Sequence, residues 1–274
     1  MTISRAVSHS HDNTNMNDCR KYSFLDIFRL SKDFGGIRAL HEVIFSLDEG
    51  SIVSMIGPNG AGKTTLINVV TGIYPPLSGE VYFQGKNISG LQAHKVPSLG
   101  IGRTFQLTEP FMSLTVLENV MVGCHTRSRA GIFNVGLRLP FSKKEEKIIK
   151  DEAMESLKMV GLEHSASSLI SSLPLGKRKL VGVARALAMK PKFLMMDEPV
   201  GGLAAHEISK VTELIYELRD MGLTIFIVEH NMPFVMSISE KVIVLSGGSK
   251  IAEGSPDDIK RNSEVINAYL GEEV

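Results

Sequence analysis

The stretch Gly57-Pro-Asn-Gly-Ala-Gly-Lys63-Thr64 contains residue types and a spacing that bind nucleotide phosphates. It fits the pattern G-x-x-x-x-G-K-[ST] of a P-loop. Glycines let the backbone present several N–H donors to an anion, and a helix that follows points the positive end of its dipole at the same anion. We expect Lys63 to contact the β- and γ-phosphates and the Thr64 hydroxyl to bind Mg²⁺.

Acidic side chains and a histidine follow two other apolar runs. Asp197 and Glu198 come directly after Phe193-Leu-Met-Met196, and His230 comes two residues after Thr224-Ile-Phe-Ile-Val228. An aspartate at the end of such a strand can supply a carboxylate to Mg²⁺, and the next carboxylate can orient and polarise an attacking water. In a parallel sheet His230 would lie beside the nucleotide, where we expect it to contact the γ-phosphate. These residues predict hydrolysis of a nucleotide.

The elements that must position these residues alternate between strand and helix. Ser51–Ile56 reads as a short buried strand before the P-loop, and Thr64–Val70 reads as the helix after it. The other runs of parallel-strand length are Phe193–Met196, Thr224–Val228 and Val242–Leu245, and the remaining helical segments are Ala205–Met221 and Pro256–Leu270. The alternation predicts a parallel sheet with its ligand at the carboxyl ends of the strands.

Two further blocks have different patterns. Phe24–Leu91 is strand-rich, and Ser113–Met189 is helical. Ser142-Lys-Lys-Glu145 has the form of a capping box and predicts the start of a helix. The turn signals of the first block are Gly35-Gly36, Glu49-Gly50, Ser78-Gly79 and Gln84-Gly85, and the apolar residues after the capping box are Ile149, Ala153, Leu157 and Val160.

Composition indicates a globular protein of the cytosol. The chain has 274 residues, of which 43% are hydrophobic, and its 30 basic and 30 acidic residues balance. The neutral balance gives no general attraction to nucleic acid, and two cysteines are too few for a disulfide framework. No apolar run is long enough to cross a bilayer, so membrane association would come through partners. Residues 1–22 predict a disordered polar tail.

Taken together, the motifs resemble the ATP-binding subunit of an ABC transporter from about Phe24 to the C-terminus. Arg103-Thr-Phe-Gln106 is similar to the family's Q-loop, and Leu173-Pro-Leu-Gly176 running into Val183–Ala188 is similar to its signature helix. The resemblance implies an α/β fold, a P-loop ABC-type nucleotide-binding domain with a parallel core sheet, an antiparallel β subdomain and an inserted helical subdomain. It places the ATP-binding core at 23–110 and 190–274, and the helical signature subdomain at 111–189.

The resemblance also assigns roles to individual residues. Glu198 resembles the general base, Asp197 the Mg²⁺-associated carboxylate, and His230 the γ-phosphate contact. Gln106 would sense the metal and the attacking water while reporting to the membrane domain. Phe34 would stack on adenine, although it also reads as a buried strand residue. The implied nucleotide-binding set is Phe34, Gly57, Pro58, Asn59, Gly60, Ala61, Gly62, Lys63, Thr64, Thr65, Leu173, Pro174, Gly176 and Lys177. The implied catalytic set is Glu198, His230 and Gln106, and the implied Mg²⁺ set is Thr64, Gln106 and Asp197.

Two narrower features resemble the ATP-binding subunits of branched-chain amino acid importers. They are the long helical insertion from Arg127 to Leu173 and the ending Gly254-Ser-Pro with Val265–Gly271. This resemblance implies ATP and Mg²⁺ as ligands and a position on the inner face of the cell membrane. The implied partners are two membrane permeases, a second ATPase (a paralogue or the same chain) in a sandwich dimer and, indirectly, a periplasmic solute-binding protein. Solute contacts lie in those other chains.

Three residues depart from the family pattern. Pro174 and Lys177 stand where the signature usually has serine and glutamine, and Ala204 stands where many relatives have aspartate or asparagine. In the family's dimer each signature completes the ATP site of the opposite subunit. A serine hydroxyl bonded to a phosphate is worth about 1.5–3 kcal/mol, and proline cannot form that bond. We therefore expect asymmetry, with a competent P-loop here and a slower site on the partner.

Other functions stay open at this point. Within the transporter reading, the chain could serve an exporter. The altered signature also fits a regulatory subunit that binds ATP and hardly hydrolyses it. A soluble ABC-type ATPase acting on DNA or ribosomes is disfavoured by the neutral charge and the single ATPase domain.

Overall fold

The computed structural model describes residues 22–104, 111–125 and 140–270, and within these ranges the strands form two sheets. The strands are β1 (Leu25–Phe34), β2 (Ile37–Leu47), β3 (Ile52–Ile56), β4 (Ser78–Phe83), β5 (Lys86–Asn87), β6 (Ile101–Thr104), β7 (Phe193–Asp197), β8 (Thr224–Val228), β9 (Lys241–Ser246) and β10 (Ser249–Gly254). The helices are α1 (Lys63–Val70), α2 (Val116–His125), α3 (Pro140–Met159), α4 (Leu175–Leu187), α5 (Ala205–Asp220), α6 (Met232–Ile238), α7 (Pro256–Arg261) and α8 (Ser263–Leu270).

The larger sheet has the order β10-β9-β3-β8-β7-β6 and is parallel except for the edge strand β10. Strands β3, β7 and β8 are buried along their whole length, as expected for a sheet covered on both faces. Val228 of β8 pairs with Asp197 of β7 on one side and with Met55 of β3 on the other. The carboxyl ends of these three strands therefore meet at one edge of the sheet.

Alternate residues of the strands pack into two cores, as the period of a β-strand requires. On β3, Ile52 and Ile56 face a core that contains α4, α5 and α6. Val53 and Met55 face the opposite core, which contains α1 and the antiparallel sheet. The rings of Phe45 and Phe226 stack there with centroids 6.0 Å apart. The two cores clamp the central strands and hold their carboxyl ends in fixed positions.

The smaller sheet is antiparallel with the order β2-β1-β4-β5. The turn predicted at Ser78-Gly79 is wrong, because these residues begin β4 instead. Gly79 has φ +86°, and a Cβ there would lie 2.3 Å from the carbonyl oxygen of Arg29. The glycine is thus required by a close approach of strands beside a β-bulge rather than by a turn.

The described part of the Ser113–Met189 block is largely helical, as its pattern predicts. Helices α2, α3 and α4 pack through buried residues that include Val120, Ala153 and Ala184. The predicted capping box at Ser142 is wrong, because α3 already begins at Pro140. Proline at a helix start leaves no N–H unpaired there. Residues 127–139 of the predicted insertion lie outside the described residues.

The C-terminal segment differs from its prediction. The single helical segment predicted for Pro256–Leu270 is two helices, α7 and α8, separated at Asn262.

No helix in the described parts of the chain combines the length and the apolar character needed to cross a bilayer. The predicted fold class, with its parallel core, antiparallel sheet and helical block, is confirmed.

Candidate nucleotide site

The P-loop joins the end of β3 to the start of α1, and glycine is required at two of its positions. Gly57 has φ +152°, and a Cβ there would lie 2.1 Å from the carbonyl oxygen of Leu245. Gly62 has φ +100°, and a Cβ there would lie 2.4 Å from the carbonyl oxygen of Ala39. At Gly60, by contrast, nothing lies within 4 Å. The loop is therefore wedged between the strands around it, while its tip at Asn59 and Gly60 is exposed.

Lys63 begins α1 and folds back over this loop. Its ammonium group donates hydrogen bonds to the carbonyl oxygens of Gly57 at 2.5 Å and of Pro58 at 2.8 Å. Thr64 and Thr65 follow it in the first turn of the helix, where Thr64 is exposed and Thr65 is half-buried. Lys63, the hydroxyls of Thr64 and Thr65, and the N-terminal N–H groups of α1 thus lie together at the start of the helix. This arrangement suits a chain of phosphates.

Asp197 ends β7 beside the P-loop helix and forms a buried ion pair. The Arg103 guanidinium donates to Asp197 Oδ2 at 3.2 Å, and the two side chains are 8% and 1% exposed. Arg103 also donates to Asn68 Oδ1 at 2.6 Å, so it ties β6 and β7 to α1. Burial raises the pKa of Asp197 above its ordinary value, and the positive charges of Arg103 and Lys63 oppose that rise.

The surroundings of Asp197 fit the Mg²⁺ ion that the fold family implies. Its Oδ1 atom is buried and has no hydrogen-bond partner among the described residues. A buried carboxylate oxygen without a donor is costly unless a cation or an ordered water satisfies it. Thr64 adds the hydroxyl oxygen that a hard dication accepts. The third predicted ligand, Gln106, lies outside the described residues.

Glu198 and His230 meet at the ends of β7 and β8. Glu198 Oε1 lies 3.7 Å from His230 Nδ1, and the side chains are 30% and 62% exposed. The N–H of Glu198 donates to the carbonyl oxygen of Val228 at 2.8 Å. Sequence reasoning expected both side chains at one edge of the sheet, and the structure brings them together there. A carboxylate beside an imidazole in a partly open site can manage the proton of a water molecule.

Phe34 ends β1 and is 39% exposed, which contradicts its alternative reading as a buried strand residue. Its ring meets that of Tyr74 edge to face, with centroids 5.0 Å apart. The Lys32 ammonium lies 5.1 Å from the centre of the Phe34 ring. An exposed aromatic platform of this kind suits a flat base. Tyr74 was missed by the sequence analysis, since nothing in its local pattern marks it.

The signature residues lie at the start of α4 rather than in the P-loop. Leu173 is buried, Pro174 is the N-cap residue of α4, and Lys177 is exposed. Pro174, Gly176 and Lys177 line a cavity of about 440 Å³ with the start of α5, and no P-loop residue lines it. A Cβ on Gly176 would lie 2.2 Å from a carboxylate oxygen of Glu207. Pro174 and Lys177, at the start of α4, are exposed to solvent.

Ala204, the third departure from the family pattern, is the N-cap residue of α5. It has no side-chain acceptor for the first turn of the helix. Its own N–H donates to Glu207 Oε2 at 3.0 Å, so a side chain of the first turn holds the backbone at the helix start. The segment after Glu198 therefore ends at Ala204, which offers no polar side chain to a partner.

Two family models and several known proteins match this chain. The family described as ABC transporter matches residues 40–201, and the family described as Branched-chain amino acid ATP-binding cassette transporter matches residues 249–274. The chain is 39% identical to the high-affinity branched-chain amino acid transport ATP-binding protein LivG of Salmonella typhimurium, covering 87% of this chain and 94% of LivG. It is 38% identical to the corresponding protein BraF of Pseudomonas aeruginosa, covering 90% and 98%.

Solved structures give the same picture. A nucleotide-free ATP-binding cassette from an ABC transporter superposes with a TM-score of 0.80 at 32% identity, covering 90% of this chain and 98% of that one. A dimeric cassette in a post-hydrolysis state, bound to ADP and Pi, superposes with a TM-score of 0.72 at 27% identity, covering 85% and 98%.

Proposed function

This chain belongs to the ABC transporter family of ATP-binding proteins and is an ATPase of that type, and we propose that it energises the import of branched-chain or other amino acids. The solute class rests on the match at residues 249–274 and on the names of the LivG and BraF relatives. An exporter role receives no comparable support. The chain would act on the inner face of the cell membrane.

In the proposed reaction the chain's own residues bind and orient the nucleotide. The P-loop N–H groups and Lys63 hold the phosphates, and the Phe34–Tyr74 platform holds the base. Mg²⁺, held by Thr64, Asp197 and Gln106, would neutralise charge on the phosphates. Glu198 accepts a proton from the attacking water, and His230 contacts the γ-phosphate. Because little covalent chemistry is needed, positioning and electrostatic stabilisation account for catalysis.

The partner ATPase would bring its own signature to this site, since Pro174, Gly176 and Lys177 of this chain line a cavity that includes no P-loop residue. Leu173, Pro174, Gly176 and Lys177 would then complete the ATP site of the partner. Pro174 offers no side-chain hydroxyl, although the Gly176 N–H, the dipole of α4 and the Lys177 cation remain. We retain the asymmetry hypothesis, in which the partner's site is the slower one.

An apolar groove of about 290 Å³ is where we place a cytoplasmic segment of a permease. Its apolar lining includes Ile73, Val96, Phe111 and Met189. Phe111 is 52% exposed, and the buried Asn119 holds its backbone by accepting its N–H at 2.8 Å and donating to its carbonyl oxygen at 3.1 Å. Phe111 and Ile73, which are 52% and 42% exposed, give the groove an apolar surface that suits the binding of a partner.

The groove also reaches the nucleotide site through a single residue. Arg103 lines the groove and pairs with Asp197. A segment bound in the groove would therefore contact the ion pair that positions the proposed Mg²⁺ carboxylate. This continuity favours a partner whose movement is coupled to ATP turnover, which is what a transporter requires.

The observation that carries the proposal is the approach of Glu198 to His230 beside an intact P-loop, joined to the C-terminal match. We would test it by purifying the tagged chain from native membranes in mild detergent and identifying the bound proteins by mass spectrometry. The proposal expects two multi-span permeases and a second ATPase. Recovery of soluble partners or ribosomes alone would contradict the transporter role and leave only the ATPase chemistry.

A further inference from the structure

Glu229, the residue before His230, has a buried carboxylate at the catalytic edge of the sheet. Its side chain is 0% exposed. It accepts three hydrogen bonds, all from backbone N–H groups: Val200 donates to Oε1 at 2.9 Å, while His230 and Asn231 donate to Oε2 at 2.9 and 3.1 Å. A buried carboxylate needs such compensation, and both oxygens are used as acceptors.

The three donors belong to the two segments that carry the proposed catalytic side chains. His230 and Asn231 begin the segment after β8, and Val200 lies two residues after Glu198. The carboxylate of Glu229 therefore fastens the backbone after β7 to the backbone after β8. The side chains of Glu198 and His230, which these two segments carry, approach to 3.7 Å.

A second charged residue holds Glu198 from the signature helix. Lys179 on α4 donates from its ammonium group to the backbone carbonyl oxygen of Glu198 at 2.6 Å. Burial lowers the pKa of Lys179, and the negative charges of Glu229 and Glu198 oppose that change. Lys179 therefore has a favourable electrostatic interaction with both carboxylates.

The backbone of Glu198 needs such support. Its φ is +49°, in the left-handed region that a residue with a side chain adopts at a cost of about 1–2 kcal/mol. Strained conformations persist only where the surroundings enforce them, and they concentrate at functional sites. Here the Glu198 N–H is bonded to Val228 and its carbonyl oxygen to Lys179, so both sides of the residue are held.

We propose that Glu229 and Lys179 are positioning residues for ATP hydrolysis. Glu229 sets the backbone of His230 and of the segment after Glu198, and Lys179 sets the carbonyl group of Glu198, so that the two side chains face the attacking water together. The proposal rests on the catalytic roles proposed above for Glu198 and His230. Neither positioning residue touches the nucleotide, so their loss should affect turnover and leave ATP binding intact.

Steady-state ATP hydrolysis by the complex purified with its permeases tests the proposal. In Glu229→Gln the amide nitrogen cannot accept a hydrogen bond, so at least one of the three N–H groups loses its acceptor. Because a small displacement of catalytic groups is costly, kcat should fall about 10- to 100-fold while KM for ATP stays within about twofold. The matched control is Asp26→Asn, which neutralises a carboxylate that is also buried but lies in β1. Its kcat should stay within about twofold of wild type.

Lysine variants give an independent test if Glu229→Gln yields no folded protein. Lys179→Met removes the donor to Glu198 and should lower kcat at unchanged KM, whereas Lys179→Arg keeps a donor and should restore most of the turnover. A wild-type kcat in Glu229→Gln or Lys179→Met would overturn the proposal. Equal losses in Glu229→Gln and Asp26→Asn would also overturn it, since they would show general destabilisation.

Glu198→Gln separates this inference from the function on which it rests. Loss of hydrolysis in Glu198→Gln with wild-type hydrolysis in Glu229→Gln would overturn the positioning role alone. Wild-type hydrolysis in both variants would overturn the proposed catalytic role of Glu198 as well.

Discussion

Glu198 is the residue on which the proposed chemistry depends most directly. It lies 3.7 Å from His230, is partly exposed to solvent, and follows an aspartate whose Oδ1 atom has no hydrogen-bond partner among the described residues and fits Mg²⁺. Lys63 and Thr64 stand on the other side of the same edge. The carboxylate of Glu198 is the proposed acceptor for the proton of the attacking water.

Glu198→Gln should lower kcat for ATP hydrolysis about 10²- to 10⁴-fold, because an amide cannot accept that proton. ATP affinity should be unchanged, since the P-loop contacts remain. Phosphate release and fluorescent-nucleotide binding would measure the two quantities. Glu155→Gln on the exposed face of α3 is the control and should behave as wild type. A Glu198→Gln complex that hydrolyses ATP normally would remove the general base from the mechanism.

Pro174→Ser tests the asymmetry hypothesis at the same scale. The new hydroxyl could bond a phosphate bound to the partner, and such a bond is worth about 1.5–3 kcal/mol. Turnover of the assembled complex should rise at least about threefold. Pro256→Ser, at the start of α7, makes the same replacement away from the signature and should have no effect. Unchanged turnover in Pro174→Ser would refute the hypothesis.

Single residues also show where sequence reasoning reaches its limit. The P-loop, Asp197, Glu198 and His230 could be predicted, because each follows an apolar strand at a recognisable spacing. Tyr74, Arg103 and Lys179 could not be assigned roles, because their partners lie far away in the chain. Lys179, for example, contacts a residue 19 positions later through packing of α4 against the sheet. Such pairings depend on tertiary structure and leave no local pattern.

At the scale of elements, α1, β6 and β7 are joined by Arg103. It pairs with Asp197 at 3.2 Å in a nearly dry environment and also bonds Asn68 on the P-loop helix. Burial lowers the pKa of Arg103 and raises that of Asp197, because desolvation disfavours the charged form of each group. Removing one member of such a pair leaves an uncompensated buried charge.

Arg103→Met should therefore lower the free energy of unfolding by about 3–5 kcal/mol. Denaturant unfolding followed by circular dichroism would measure it. Arg38→Met is the matched control, because Arg38 pairs with Asp33 at 3.4 Å while 56% exposed. That exposed pair should contribute less than about 1 kcal/mol. Equal effects of the two substitutions would contradict the structural importance assigned to the buried pair.

The helices and strands differ in how closely the sequence pattern predicted their bounds. The apolar runs predicted β3, β7 and β8 closely, since both faces of these strands are buried. Helix α5 was predicted within one residue of its observed end at Asp220. The start of α3 and the path of Ser78-Gly79 were wrong, because a proline start and a β-bulge each outweighed a local signal. The subdomain boundaries at 110 and 190 stay predictions.

At the scale of the whole molecule, three regions have separate proposed functions: the nucleotide edge, the signature and the apolar groove. The first is proposed to bind ATP, the second a partner ATPase and the third a permease. Arg103 belongs to both the groove and the nucleotide edge. This shared residue gives a physical route by which ATP turnover and permease movement can influence each other.

Phe111→Ser tests the groove. Removing an exposed aromatic anchor commonly costs an interface 2 kcal/mol or more, so at least about fivefold less permease should co-purify with the tagged chain. ATP binding by the variant should be unchanged. The control is Ile44→Ser, which removes a 44% exposed apolar side chain from β2 outside the groove. Equal permease recovery with Phe111→Ser and wild type would place the membrane partner elsewhere.

The most direct test of the whole account is uptake of labelled leucine by proteoliposomes that contain the complex purified with this chain. ATP would be supplied on the side where this chain is exposed, with the purified solute-binding partner on the other side. We predict ATP-dependent accumulation of leucine with the wild-type chain and none with Glu198→Gln. ATP hydrolysis that proceeds without accumulation of any branched-chain amino acid, or accumulation that persists in Glu198→Gln, would contradict the proposal that this chain energises amino acid import.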